Sequence, residues 1–312
     1  DNPDKCLWID LDSDTVKYGA KMTAQFERIL KLAKVYQTPG SIYYQDESLK
    51  NKIIEATAFV NDNFYSTPKS VINGQGSSKN NWWDWEIGTP THVTNLLVVM
   101  YDVYTPELRN QLIENVDVYT PNVNRRTLFW NIEETAANLA DKALIVTLRA
   151  IVDDNDDKLA HVSEHLPVVF KYVTSGDGFY KDGSFVQHTN VAYTGAYGYV
   201  LLDAVVNILS ILQNTKQALS SDEYSNLYAF IQDSFIPALS LGGNNMDMVR
   251  GRSASRESWQ SNRTGRQIIS ALVQLAQVAP KAQKDYINGV CKTLIKEGSA
   301  GQSDYYLSLI HI

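Results

Sequence analysis

The chain has 312 residues, 44% hydrophobic and 20% charged, with a formal net charge of −7. That composition suits a globular protein with one large core or two modest ones. The negative balance argues against a general nucleic-acid binder. No run approaches the roughly 18 uninterrupted apolar residues of a membrane span.

The first residues, Asp1 to Lys5, carry neither the basic start nor the apolar run of a signal peptide. Cys6 and Cys291 stand at opposite ends of the sequence, and a bridge or two free thiols both fit. Apolar residues then recur at three- and four-residue spacing. Met22, Phe26, Ile29, Leu30 and Ala33 form one stripe; Leu49, Ile53, Ala56 and Val60 form the next. A polar, glycine-containing loop, Val71 to Asn80, leads into three tryptophans. Further helices are predicted near 91–103, 107–117, 133–152, 158–174, 194–214, 222–238, 258–278 and 282–297. Prolines 68, 90, 106, 121, 167 and 280 fall at their starts and joints, where proline is tolerated. Asp153 to Asp157 reads as a solvated turn. Period-two alternation is scarce, so the class is all-α, built from helical hairpins that each bury a face on the next.

Several constellations carry chemistry. Adjacent Trp82 and Trp83 cannot both face one core from a regular helix, so at least one is expected in a cleft, where an indole stacks on a sugar. Trp85 and Trp130 are candidates for the same patch. Asn138 follows two alanines on a predicted helix, which leaves room for something to approach. His188, Tyr193 and Tyr197 lie among small residues in a segment too glycine-rich for ordinary helix core. Nine residues of continuous helix would set His188 and Tyr197 on opposite faces, so His188 is expected in a loop before a helix that begins near Tyr193 or Gly195. Tyr193 and Tyr197, one turn apart, can share a face. A phenol with an ordinary pKa of ~10 needs help to ionise at neutral pH. That help is available from an arginine cluster: five of the ten arginines (250, 252, 256, 263 and 266) occupy a window whose only acid is Glu257. Arg252 and Arg256, at i,i+4, are expected to reach one anionic sugar together, the guanidinium fork matching a carboxylate. His161 and His165 have metal-ligand spacing but no evident third ligand, and no metal site is expected.

The passages Asn81 to Pro90, Asp182 to Tyr199 and Met246 to Arg256 resemble polysaccharide lyase family eight, which includes the hyaluronate, chondroitin AC and xanthan lyases. Order and spacing agree over roughly residues 20–298. The resemblance implies an incomplete α/α toroid forming a single helical catalytic domain over 1–312. It also implies β-elimination on a uronate polymer, hyaluronan or chondroitin being favoured. Asn138, His188, Tyr197 and Arg252 then take the catalytic positions; Asn81, Trp82, Trp83, Arg256 and Trp130 take substrate-binding ones. Two versions of the chemistry follow. Either Tyr197 performs both proton transfers with its pKa lowered by Arg252, or His188 is the base and Tyr197 the acid. Neither a metal nor an organic cofactor is required. The partner is an anionic polysaccharide, and a secreted monomer is expected. Family members continue into a large β-sheet region that does not follow here, so an isolated or truncated helical domain is expected.

Two other functions fit parts of the pattern. A glycoside hydrolase would need two flanking carboxylates, for which Asp84, Glu86, Asp177 and Asp182 are candidates, but it leaves the His/Tyr/Arg set without work. A polysaccharide-binding module without turnover is the third.

Overall fold

The structure is a computed structural model that describes residues 6–12, 18–66, 81–128, 131–240, 242–256 and 260–299. Its chain forms two compact units: Asp1–Glu134 with Ile145–Val162, and Thr135–Leu144 with Ser163–Ile312. Both are predominantly helical, as the apolar spacing predicts.

In the first unit, α1 (Tyr18–Gln37) packs on α2 (Glu47–Val60) and α3 (Thr89–Val99), and α3 packs on α4 (Pro106–Tyr119). Start signals agree with the sequence. Asp46 caps α2 by accepting the Leu49 N–H, and Thr105 caps α4 just before Pro106. The stripe Met22, Phe26, Ile29, Leu30 and Ala33 is buried throughout. Of the α2 stripe, Ile53 and Val60 are buried, whereas Leu49 and Ala56 lie at the core's margin. Trp85, Tyr65 and Tyr119 fill the centre, with Trp85 and Tyr65 ring centroids 5.0 and 5.1 Å from Tyr119.

Helices α5 (Ala136–Val152) and α6 (Asp156–His165) contribute residues to both units. The helix predicted to run to 174 stops at His165. Pro167 has no N–H to continue the ladder, and Leu166–Phe170 tightens into a 3₁₀ turn.

The second unit contains a three-stranded antiparallel sheet: β1 (Gly178–Phe179), β2 (Phe185–Gln187) and β3 (Val191–Ala192). Phe179 pairs with Phe185, and the Phe179 ring stacks on Phe230 at 3.9 Å, which anchors the hairpin to α8 (Asn226–Phe230). Helix α7 (Tyr199–Leu212) packs on α9 (Ser261–Val278), which packs on α10 (Lys281–Ser299). Among the described residues, Thr194–Leu212 is long and apolar enough to cross a membrane, but Asp203 and Asn207 interrupt it and most of it is buried inside the protein. Cys6 and Cys291 are free thiols, and burial pushes the Cys291 thiol up to about 12.

Asp141 on α5 is pushed up to about 8, first by desolvation and then by the Asp203 carboxylate on α7. Below its ordinary value of 3.8, folded and unfolded chains both hold this proton. Between there and about 8 the unfolded chain releases it while the folded chain keeps it, so stability falls as pH rises. Asp141→Asn is therefore expected to flatten that slope and to stabilise the chain by on the order of 3 kcal/mol at pH 8. Denaturant unfolding at several pH values checks this; an unchanged slope contradicts it.

Candidate active site

The second unit gathers a histidine, two tyrosines and an arginine around the β2–β3 turn. His188 and Thr189 both adopt left-handed backbone, with φ of 55° and 72°. Neither is glycine, and Thr is β-branched, so each conformation costs roughly 1–2 kcal/mol and must be imposed from outside. Asp177 does this in part: its Oδ1 accepts the Thr189 N–H at 2.7 Å, and its Oδ2 accepts Gln187 Nε2 at 2.6 Å and the Thr135 hydroxyl at 3.2 Å. Buried Gln187 in turn accepts the Ala137 N–H at 3.4 Å, beside Asn138 in the first turn of α5. Asn138 is 8% exposed, and no hydrogen bond joins its amide to another described residue.

Tyr197 rides on a π-helical turn, Thr194–Gly198, that widens the start of α7. Its Oη lies 3.1 Å from His188 Nε2 and accepts a hydrogen bond from Arg252 Nη2, also at 3.1 Å. The His188 and Tyr197 rings meet edge to face at 4.9 Å. His188 thus sits in a loop before the helix, as the spacing requires. Tyr193 shares a face with Tyr197, their centroids 4.9 Å apart, and is buried. Its hydroxyl accepts the backbone N–H of Arg252 at 3.1 Å. Gly251, at φ +50°, permits that approach, because a Cβ there would stand 2.2 Å from the Tyr193 ring.

Electrostatics here departs from the sequence reading. Arg252 and Arg256 do pull the Tyr197 pKa down, but burial pushes it up and outweighs them, with Tyr193 and Asp141 adding to the rise. Tyr197 is therefore a neutral phenol in the free chain, ionising above the ordinary tyrosine range. The arginines also differ from expectation. Gly251–Ser255 forms a 3₁₀ turn, and Arg256 follows it in extended conformation, so Arg252 and Arg256 do not share an α-helical face. Arg256 instead lines a cleft of about 570 Å³ with Asn244, Asp247, Gln260 and Asn262. Buried Arg250 pairs with Asp247 and bonds the Ser253 carbonyl at 3.2 Å, an internal brace.

In the first unit, Asn81 accepts the Trp83 N–H at 3.3 Å. Trp83 is 37% exposed, as the adjacency argument requires. Trp82 is half-buried beneath the Arg126 guanidinium, 3.5 Å from its ring, and Arg126 is held by Glu134 at 3.0 Å. The sequence carries no sign of this role for Arg126, since no motif marks a cation as the cover of a distant indole. Trp85 is no part of an exposed patch: it is fully buried, because the π-helical turn Asp84–Gly88 directs it into the core. Trp130 lies outside the described residues.

The four carboxylates that are candidates for a hydrolase pair serve the backbone or a neighbouring side chain. Buried Glu86 accepts the Thr127 and Leu128 N–H groups, the latter at 2.5 Å, and Asp84 accepts the Thr23 hydroxyl at 3.3 Å. Asp182 accepts the Ser184 N–H and hydroxyl, which hold its carboxyl below the usual range. Asp177 clamps the His188 turn.

Comparison with known proteins bears on the family and the fold. The model of the family described as polysaccharide lyase family 8, N terminal alpha-helical domain, matches residues 2–293. A xanthan lyase of Bacillus sp. is 34% identical over 278 residues, covering 88% of this chain and 28% of its own length. Hyaluronate lyase HylB of Enterococcus faecalis is 32% identical over 304 residues, covering 93% of this chain and 29% of its own. The solved chondroitin AC lyase of Streptomyces coelicolor A3, in complex with chondroitin sulphate, superposes with a TM-score of 0.83 at 25% identity. It covers 99% of this chain and 42% of that one. The chain thus spans less than a third of the length of these two curated relatives.

Proposed function

The chain belongs to polysaccharide lyase family 8, and from that premise we propose that it cleaves a uronate-containing polysaccharide by β-elimination, leaving a 4,5-unsaturated uronate end. The observation that carries this reading is Tyr197 Oη lying 3.1 Å from both His188 Nε2 and Arg252 Nη2. A phenol set between a proton acceptor and a fixed cation is suited to lose and regain a proton.

The uronate carboxylate sits against the Asn138 amide, which stabilises the charge that grows there as C5 loses its proton. Because burial keeps Tyr197 protonated, the phenolate forms by passing its proton to His188 Nε2, and Arg252 offsets its charge. The phenolate then takes the C5 proton. Electrons from that bond form C4=C5, the C4–O bond breaks, and Tyr197 returns the proton to the departing oxygen. The imidazolium–phenolate pair is regenerated. One group serving both atoms suits elimination of substituents on the same side.

Trp82 and Trp83 position the polymer by stacking, Asn81 by hydrogen bonding, and Arg256 reads a neighbouring anionic group. Hyaluronan or chondroitin is the favoured substrate, and secretion of a monomer fits a polymer too large to enter cells. The likeness to a xanthan lyase favours a xanthan-type substrate as the second reading. A panel of the three polymers, followed by ultraviolet absorbance of the unsaturated end, tests the proposal. Absorbance should rise with at least one. Binding without product would mark a non-catalytic module instead.

A further inference from the structure

We propose that Asp177 is a positioning residue: it holds His188 in the left-handed conformation that brings Nε2 to Tyr197, and through Gln187 it ties that turn to the start of α5, where Asn138 stands. This rests on the lyase reading just given.

The placement follows from the sheet. Gly178 pairs with Val186, so Asp177, one residue before β1, comes alongside Gln187 at the end of β2. Its carboxylate there meets three donors from three segments: the Thr189 N–H, the Gln187 amide and the Thr135 hydroxyl. The two left-handed residues are a histidine and a β-branched threonine, which do not choose that conformation themselves. The turn is therefore set by what grips it. Ala136, at φ +45°, is a third non-glycine residue in left-handed backbone, one residue before the N–H that Gln187 accepts. Strained backbone on both sides of one carboxylate–amide pair suits a site whose parts must be held in mutual register.

Donor and acceptor roles are fully specified here. Every partner of Asp177 donates to it, and only the Thr135 hydroxyl could also accept, so the position needs an acceptor. Gln187 donates to Asp177 with Nε2 and accepts from Ala137 with Oε1. Asp177→Asn sets an N–H₂ against the Gln187 N–H₂, and flipping Gln187 only moves the conflict to Ala137. Gln187→Glu sets carboxylate against carboxylate. The double change exchanges the two polarities and satisfies each contact again.

The test is a double-mutant cycle on kcat and KM. Each single variant should lower kcat about 30-fold with KM altered less than about threefold, and the double variant should recover to within about fivefold of the parent. A parallel readout needs no turnover: the NMR shift of the His188 ring on introducing Tyr197→Phe. That response should vanish with Asp177→Asn and return in the double variant. Single variants within about twofold of the parent, or single losses that multiply in the double variant, overturn the proposal. If the parent yields no unsaturated product, the lyase reading fails, while the ring shift still decides whether Asp177 sets the turn.

Discussion

Tyr197→Phe is expected to lower kcat by at least about 10³-fold while leaving polymer affinity within about threefold. The variant removes one oxygen, and that oxygen is the point where His188 and Arg252 converge. The ring remains in contact with Tyr193 and His188, so the fold has little reason to change. In the proposed reading affinity comes from the indoles and from Arg256, so it should persist. Rates of product absorbance together with calorimetric binding check this. Turnover within about tenfold of the parent would mean that His188 alone moves both protons.

Asn138→Ala is expected to cost about 10²- to 10³-fold in kcat, the range seen when one donor to a developing oxyanion is lost. The amide stands in the first turn of α5 with no other described residue to serve, and it is nearly buried. In the proposed elimination its hydrogen bond to substrate strengthens as negative charge moves onto the carboxylate, so the loss should fall on kcat more than on KM. Asn138→Asp should be at least as damaging, since it adds like-charge repulsion to the lost donor. Steady-state kinetics of both variants decide it: a rise in KM with unchanged kcat would make Asn138 a simple binding contact.

What was legible in the sequence follows from the length scale of each signal. The stripe Met22, Phe26, Ile29, Leu30 and Ala33 repeats over three helical turns, enough for periodicity to speak, and all five residues are buried. The hairpin that carries His188 was not legible, because strands of two and three residues are too short to alternate. Placing His188 ahead of the helix was still possible, since nine residues of α-helix would have separated it from Tyr197. The i,i+4 reading of Arg252 and Arg256 failed for a local reason: Gly251 takes a positive φ and the turn after it winds as 3₁₀. Trp85 was misplaced because the adjacency argument constrains only neighbouring indoles. Asp177 appeared in the sequence as a hydrolase acid, and only the sheet register shows that its neighbours are donors. The Tyr197 pKa lies above the expected range because burial outweighs the nearby cation, and spacing reveals the cation but not the degree of burial.

The proposed elimination turns on the hydrogen at C5 of the uronate. With polymer deuterated at that carbon, elimination through Tyr197 predicts a slowed reaction and an unsaturated product end that has lost the label. A saturated non-reducing uronate end that keeps its deuterium would contradict it.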